Sequence, residues 1–129
     1  MKSLSVLVVF LGLYLTSEQA FSGDVGPTFF NATDDVISID IAYRQGSGFH
    51  GDFGAGAVME WPFAWQVQTI KVRLKGGGSL GVSEAEAVRL RGKLTKPRSQ
   101  VWVIDGSRIC VVESQRFKAS KGFRCPVSH

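Results

Sequence analysis

Two stretches of this chain alternate with a period of two. In residues 36–43, Ile37, Ile39, Ile41 and Tyr43 fall on one face and Ser38, Asp40 and Ala42 on the other. In residues 69–75, Ile70, Val72 and Leu74 oppose Lys71, Arg73 and Lys75. Successive side chains of a strand point to opposite faces, so each stretch predicts a strand with one buried face. Between them, residues 45–57 hold five glycines: Gly46, Gly48, Gly51, Gly54 and Gly56. No helix survives that density, which predicts a long loop or a bent strand with bulges. Trp61, Phe63 and Trp65 then alternate around Pro62, as in an edge strand or a strand entry. Three large aromatics suit the centre of a small core better than an exposed stacking platform for sugar rings.

Residues 101–104, the pair Asp105-Gly106 and residues 108–113 read as a hairpin, because Asp-Gly suits a turn needing positive φ. Residues 83–92 admit two readings. Ser83 with Glu86 is a capping box and Gly92 a good C-cap, which predicts a two-turn helix. Against that, Val88 and Leu90 are two apart and alternate with Arg89, Arg91 and Lys93, which favours a strand over residues 87–94. The sum is five or six strands and at most one short helix. At 129 residues there is room for one domain. The fold class expected is all-β or mainly β, a small antiparallel sandwich or a prism-like domain.

The chain begins with one cation, Lys2, followed by an uncharged apolar run over residues 4–15. A membrane span needs about 20 apolar residues, so this run has the length of a signal-peptide core instead. Ala20-Phe21-Ser22 supplies small residues for cleavage before Gly23, with cleavage after Ala20 as the alternative. The expected organisation is a signal peptide over residues 1–22, a flexible arm over 23–35 and a single β-rich domain over 36–129. The mature protein is then secreted and extracellular, without a transmembrane segment. Export makes the only two cysteines, Cys110 and Cys125, a disulfide pair. A loop of that size contributes about 3 kcal/mol on the chain-entropy account. Asn31-Ala32-Thr33 is an N-glycosylation acceptor and predicts a glycoprotein in a eukaryotic source.

The residues that carry chemistry are sparse. Of two histidines, His129 is terminal and His50 sits in the glycine-rich stretch. No Gly-x-Ser-x-Gly elbow, phosphate-cradling loop or dinucleotide fingerprint is present. One internal histidine and a paired disulfide cannot supply a zinc site. The expectation is a non-enzymatic protein with no catalytic residues, no metal and no cofactor.

Charge is the most informative remaining feature. Residues 23–65 carry six acids and one base, whereas residues 66–129 carry thirteen bases and four acids. With both basic segments read as strands, Lys71, Arg73 and Lys75 join Arg89, Arg91 and Lys93 as polyanion-binding candidates on one sheet face. Such a face attracts acidic glycans in a salt-dependent way. The opposite reading is a solvated outer face that blunts sheet edges.

Phe49-His50-Gly51-Asp52-Phe53-Gly54, then Gln68-Thr69-Ile70-Lys71-Val72, a glycine-rich gap, and Ala87-Val88-Arg89-Leu90-Arg91 resemble one repeat of the vitelline membrane outer layer protein 1 family. That family builds a β-prism from three such repeats in an extracellular egg coat. Here phenylalanines stand for its tryptophans and Gly92 for its cysteine, and the chain is too short for three repeats. The resemblance implies an extracellular β-rich domain and no site residue. The function expected is a secreted β-domain that binds an acidic glycan or an extracellular matrix or coat protein, not nucleic acid. The alternative is a secreted cationic effector of the venom, salivary or host-defence kind.

Overall fold

The computed structural model describes residues 25–120 and 122–126. The expected signal peptide lies outside the described residues. Among the described residues no helix is long and apolar enough to cross a membrane.

These residues form eight strands in two four-stranded sheets, with one α-helix. The first sheet is ordered β4 (Val58–Glu60), β1 (Thr28–Asn31), β7 (Gln100–Ile104), β8 (Ile109–Glu113). The second is ordered β3 (Phe49–Phe53), β2 (Ile37–Tyr43), β5 (Val67–Arg73), β6 (Ser79–Val82). All pairings are antiparallel except β1 with β7, which is parallel. The fold is a mainly β sandwich, as the alternation predicts. Ile37, Ile39 and Ile41 of β2 and Ile70 and Val72 of β5 face Phe29, Trp102 and Ile104 of the first sheet across one core. The Asp105-Gly106 hairpin forms, with Gly106 at φ +95°.

The first correction concerns residues 23–35. They do not form a loose arm throughout, because residues 28–31 are the buried strand β1. Phe29 pairs in register with Trp102 and faces the core between the sheets. Phe30 points the other way and joins Val101, Val103 and Cys125 in a second cluster, packed against Phe117 and Phe123. β1 and β7 are therefore buried on both faces, the usual situation of a parallel pair. Such a strand has no polar face, so alternation cannot reveal it. The segment after β8 forms a third layer, and the Cys110–Cys125 disulfide ties it down with the two Cα atoms 5.8 Å apart.

The second correction concerns Asn31. Its side chain is fully buried. Nδ2 faces the carbonyl oxygens of Asp35 at 2.9 Å, Phe53 at 3.0 Å and Gly54 at 2.9 Å. Oδ1 accepts from the backbone N–H and the hydroxyl of Thr33, at 2.9 and 2.6 Å. The amide that a glycan would need is thus committed to holding the crossing from β3 to β4 against β1. The threonine that completes the acceptor motif serves as its local partner.

The third correction concerns residues 83–92. They form α1 (Glu84–Arg91), and the favoured strand does not exist. Ser83 Oγ accepts from the Glu86 N–H at 3.2 Å, and Gly92, at φ +54°, closes the C-terminus with its N–H on the Val88 carbonyl. Glu84 and Glu86 fill the first turn and Arg89 and Arg91 the last, complementing the helix dipole. Val88 is 53% exposed, so its alternation with Leu90 reports no buried face. Ala87 is the one fully buried residue of this helix. Capping and helix propensity outweigh a two-residue hydrophobic pattern here.

Three outcomes test these assignments. Asn31→Asp places a carboxylate against three carbonyl oxygens and should lower unfolding free energy in urea by about 3 kcal/mol. Glycopeptide mass spectrometry of the folded wild type should find Asn31 unmodified. Ser83→Ala should cost about 1 kcal/mol in the same urea melts, as the loss of a helix cap does.

Candidate binding surface

The outer face of the second sheet is built by the residues that alternate with its core. β2 contributes Ser38 and Asp40, β3 His50 and Asp52, β5 Lys71 and Arg73, and β6 Ser79. Pairing fixes their neighbours. Asp40 sits between His50 and Lys71, and Ser38 between Asp52 and Arg73. His50 Nδ1 lies 3.5 Å from Asp40 Oδ1, with both side chains largely in solvent. Lys71 and Arg73 make no ion pair with any described residue. They border a shallow depression of about 270 Å³, together with Ser38, Asp40, His50 and Ser79.

The expected six-cation face is corrected by this placement. Lys71 and Arg73 point outward opposite buried Ile70 and Val72, as predicted. Lys75 follows the strand and reaches Asp35 at 3.7 Å. Arg89 and Arg91 belong to α1, and Lys93 follows it. Arg89 pairs with Glu86 at 3.1 Å. The reason is strand length. β6 ends at Val82, opposite Ile70, and α1 packs against β5 instead of a continuing strand. The Arg91 guanidinium donates to the Val67 carbonyl at 2.9 Å, completing β5 where no strand does.

On the other flank of β5, the Arg44 backbone N–H donates to the Gln66 carbonyl at 2.9 Å. Burial, and secondly the nearby Arg44 charge, lower the Arg91 guanidinium from its ordinary value. Sequence reading missed Arg44 altogether. It is the lone base in an acidic half, and only the pairing of β2 with β5 carries it toward Arg91.

The aromatic triplet divides. Trp61 and Trp65 pack against the core, while Phe63 is 48% exposed. Tyr43 stacks on Trp61 with ring centroids 4.8 Å apart, and Phe63 stacks on Trp65 at 4.6 Å. Gly46 lies directly beneath the Trp65 ring, where a Cβ would come within 2.2 Å of it. Burial raises the Tyr43 hydroxyl above its ordinary value. That hydroxyl and the Trp61 indole N–H are buried without a hydrogen-bond partner.

No hydrogen bond joins His50 to a serine among the described residues, and the His50–Asp40 pair lies open to water. Among the described residues no group of three or more histidine, cysteine or acidic side chains could hold a metal ion. Burial by itself would raise the Asp105 carboxyl. The N–H groups of Cys125, Ser107 and Arg108, with the Ser107 hydroxyl, outweigh it and hold the group below its ordinary value. Asp105 thereby ties the disulfide-bound segment to the β7–β8 turn.

No family model, curated protein or solved structure matches this chain.

The Asp105 carboxyl titrates lower in the folded than in the unfolded chain. Its contribution to stability is therefore present above the unfolded value of about 4 and lost as pH falls through the folded one. The melting temperature should drop on acidification in that window. Asp105→Asn should melt lower than wild type at neutral pH and converge with it in acid.

Proposed function

We propose that the chain is an exported, non-catalytic β-sandwich that binds an acidic glycan, or a coat or matrix component carrying one. The observation that supports this reading is the pair of unmatched cations, Lys71 and Arg73, on one strand beside a polar depression with two serine hydroxyls. Each exposed contact is worth little alone. Two cations with fixed spacing on a sheet, plus hydroxyl donors, make a surface on which a repeating anion gains several contacts at once. A paired disulfide suits the oxidising compartment that export requires. The resemblance of residues 46–92 to an egg-coat repeat points to the same extracellular setting.

Lys71→Glu with Arg73→Glu should elute from immobilised heparin at clearly lower salt than wild type. The matched control is Lys118→Glu with Arg124→Glu, two exposed cations away from this face. Both double variants change net charge equally, so co-elution would reduce the Lys71–Arg73 face to a solvated surface. Leakage of anionic vesicles at the same protein concentration, without heparin retention, would favour the cationic effector instead.

A further inference from the structure

We propose that the Lys71–Arg73 face takes a sulfate ester of a glycan and binds it more tightly as pH falls, with His50 as the switch. The inference rests on the preceding reading, that this face binds an acidic glycan, and adds the group it takes and what controls it.

Strand register arranges the face in two rows. In one, Asp52 of β3, Ser38 of β2, Arg73 of β5 and Ser79 of β6 are successive neighbours. In the other the order is His50, Asp40, Lys71, Gly81. Arg73 is therefore flanked on both strands by small hydroxyl side chains, and Lys71 has only a glycine beside it on β6. Those small neighbours leave room around the two cations, where Ser38, Asp40, His50, Lys71, Arg73 and Ser79 border one depression. A guanidinium fork, an ammonium and two hydroxyls are all donors, which suits the oxygens of a sulfate ester.

Asp40 is the one anion bordering that depression, and it sits in register between His50 and Lys71. An incoming sulfate therefore meets a carboxylate as well as two cations. His50 Nδ1 lies 3.5 Å from Asp40 Oδ1, so a protonated imidazole offsets that carboxylate and leaves Lys71 and Arg73 to the ligand. Histidine is the side chain whose charge ordinarily changes between about pH 8 and 5, whereas lysine and arginine stay charged there. A sulfate ester also stays an anion. Two further charged groups border the same rows. Asp52 lies opposite Ser38, and Lys75 beyond Arg73 is held by Asp35 at 3.7 Å. Both partners of the His50–Asp40 pair are largely in solvent, so the gain is modest and is screened by salt. By linkage, a sulfated ligand must draw a proton onto His50 to the same extent.

The test is calorimetric titration of the protein with a sulfated heparin tetrasaccharide at low salt, at about pH 7.5 and about pH 5.5, a window in which carboxyl groups are ordinarily charged. Wild type should bind about fivefold more tightly at the lower pH. His50→Gln should keep the affinity seen at the higher pH and lose the gain. His50→Lys, a permanent cation, should bind at both pH values as wild type does in acid. His50 is exposed, so both variants should keep the wild-type melting temperature. In NMR titrations, saturating tetrasaccharide should move the His50 imidazole midpoint to higher pH. A tetrasaccharide carrying uronates and no sulfate should bind more weakly at either pH. Equal wild-type affinity at the two pH values, with Lys71→Glu and Arg73→Glu together still weakening binding, would overturn this inference and leave the glycan-binding reading standing. No binding at either pH would overturn both. A pH gain that survives in His50→Gln, or equal binding of the unsulfated tetrasaccharide, would also overturn the inference.

Discussion

The parallel pairing of β1 with β7 is the constraint on which the rest of this structure depends. Four residues, Thr28–Asn31, lie beside a strand that is itself buried along its whole length. Phe29 and Trp102 fill the space between the sheets, whereas Phe30, Val101 and Val103 would face water if nothing lay over them. The segment after β8 supplies that cover with Phe117 and Phe123, and the disulfide keeps it in place. The bridge therefore closes a hydrophobic layer as well as a chain loop. Asp105 reinforces it from the turn, because its carboxylate accepts the Cys125 N–H at 2.8 Å.

Two buried amides organise what the apolar layers leave open. Asn31 anchors the crossing from one sheet to the other. Gln100, equally buried, receives the Trp102 indole N–H at 3.1 Å and donates to the Leu94 carbonyl and to Gln66. Gln66 continues the network to the Thr95 carbonyl. The segment after α1 is thus held against the start of β5, where the Arg91 guanidinium donates to the Val67 carbonyl. A buried polar network is costly unless satisfied, and these amides meet that condition by serving as connectors between elements. The unpartnered Tyr43 hydroxyl and Trp61 indole mark the contrasting region, where aromatic packing prevails over hydrogen bonding.

The charge asymmetry along the chain does not survive folding as a two-faced molecule. β2 comes from the acidic half and β5 from the basic half, and they are neighbours. Asp40 is thereby set against Lys71, so the second sheet presents an interleaved face rather than a uniform field. Opposite charges across a strand pair stabilise it modestly and discourage edge-to-edge association. Lys71 and Arg73, at one end of β5, still lie beyond ion-pair distance of any described carboxylate.

By itself, the sequence determined the strands with one wet face, the Asp-Gly hairpin and the partnership of the two cysteines, and at residues 83–92 it carried helix caps beside an alternation that favoured a strand. Period-two alternation, turn chemistry and capping residues act over a few positions, so they are readable along the chain. The structure decided the rest. β1 was hidden because burial on both faces erases alternation. Asn31 became a connector because two of the carbonyl oxygens its amide faces, those of Phe53 and Gly54, lie more than twenty residues away. Residues 84–91 became helix because β6 stops at Val82 and leaves the flank of β5 to be filled. Arg91 reaches the Val67 carbonyl only because α1 packs along a flank of β5. Non-local pairing sets which side chains share a surface, and no pattern within one segment encodes it.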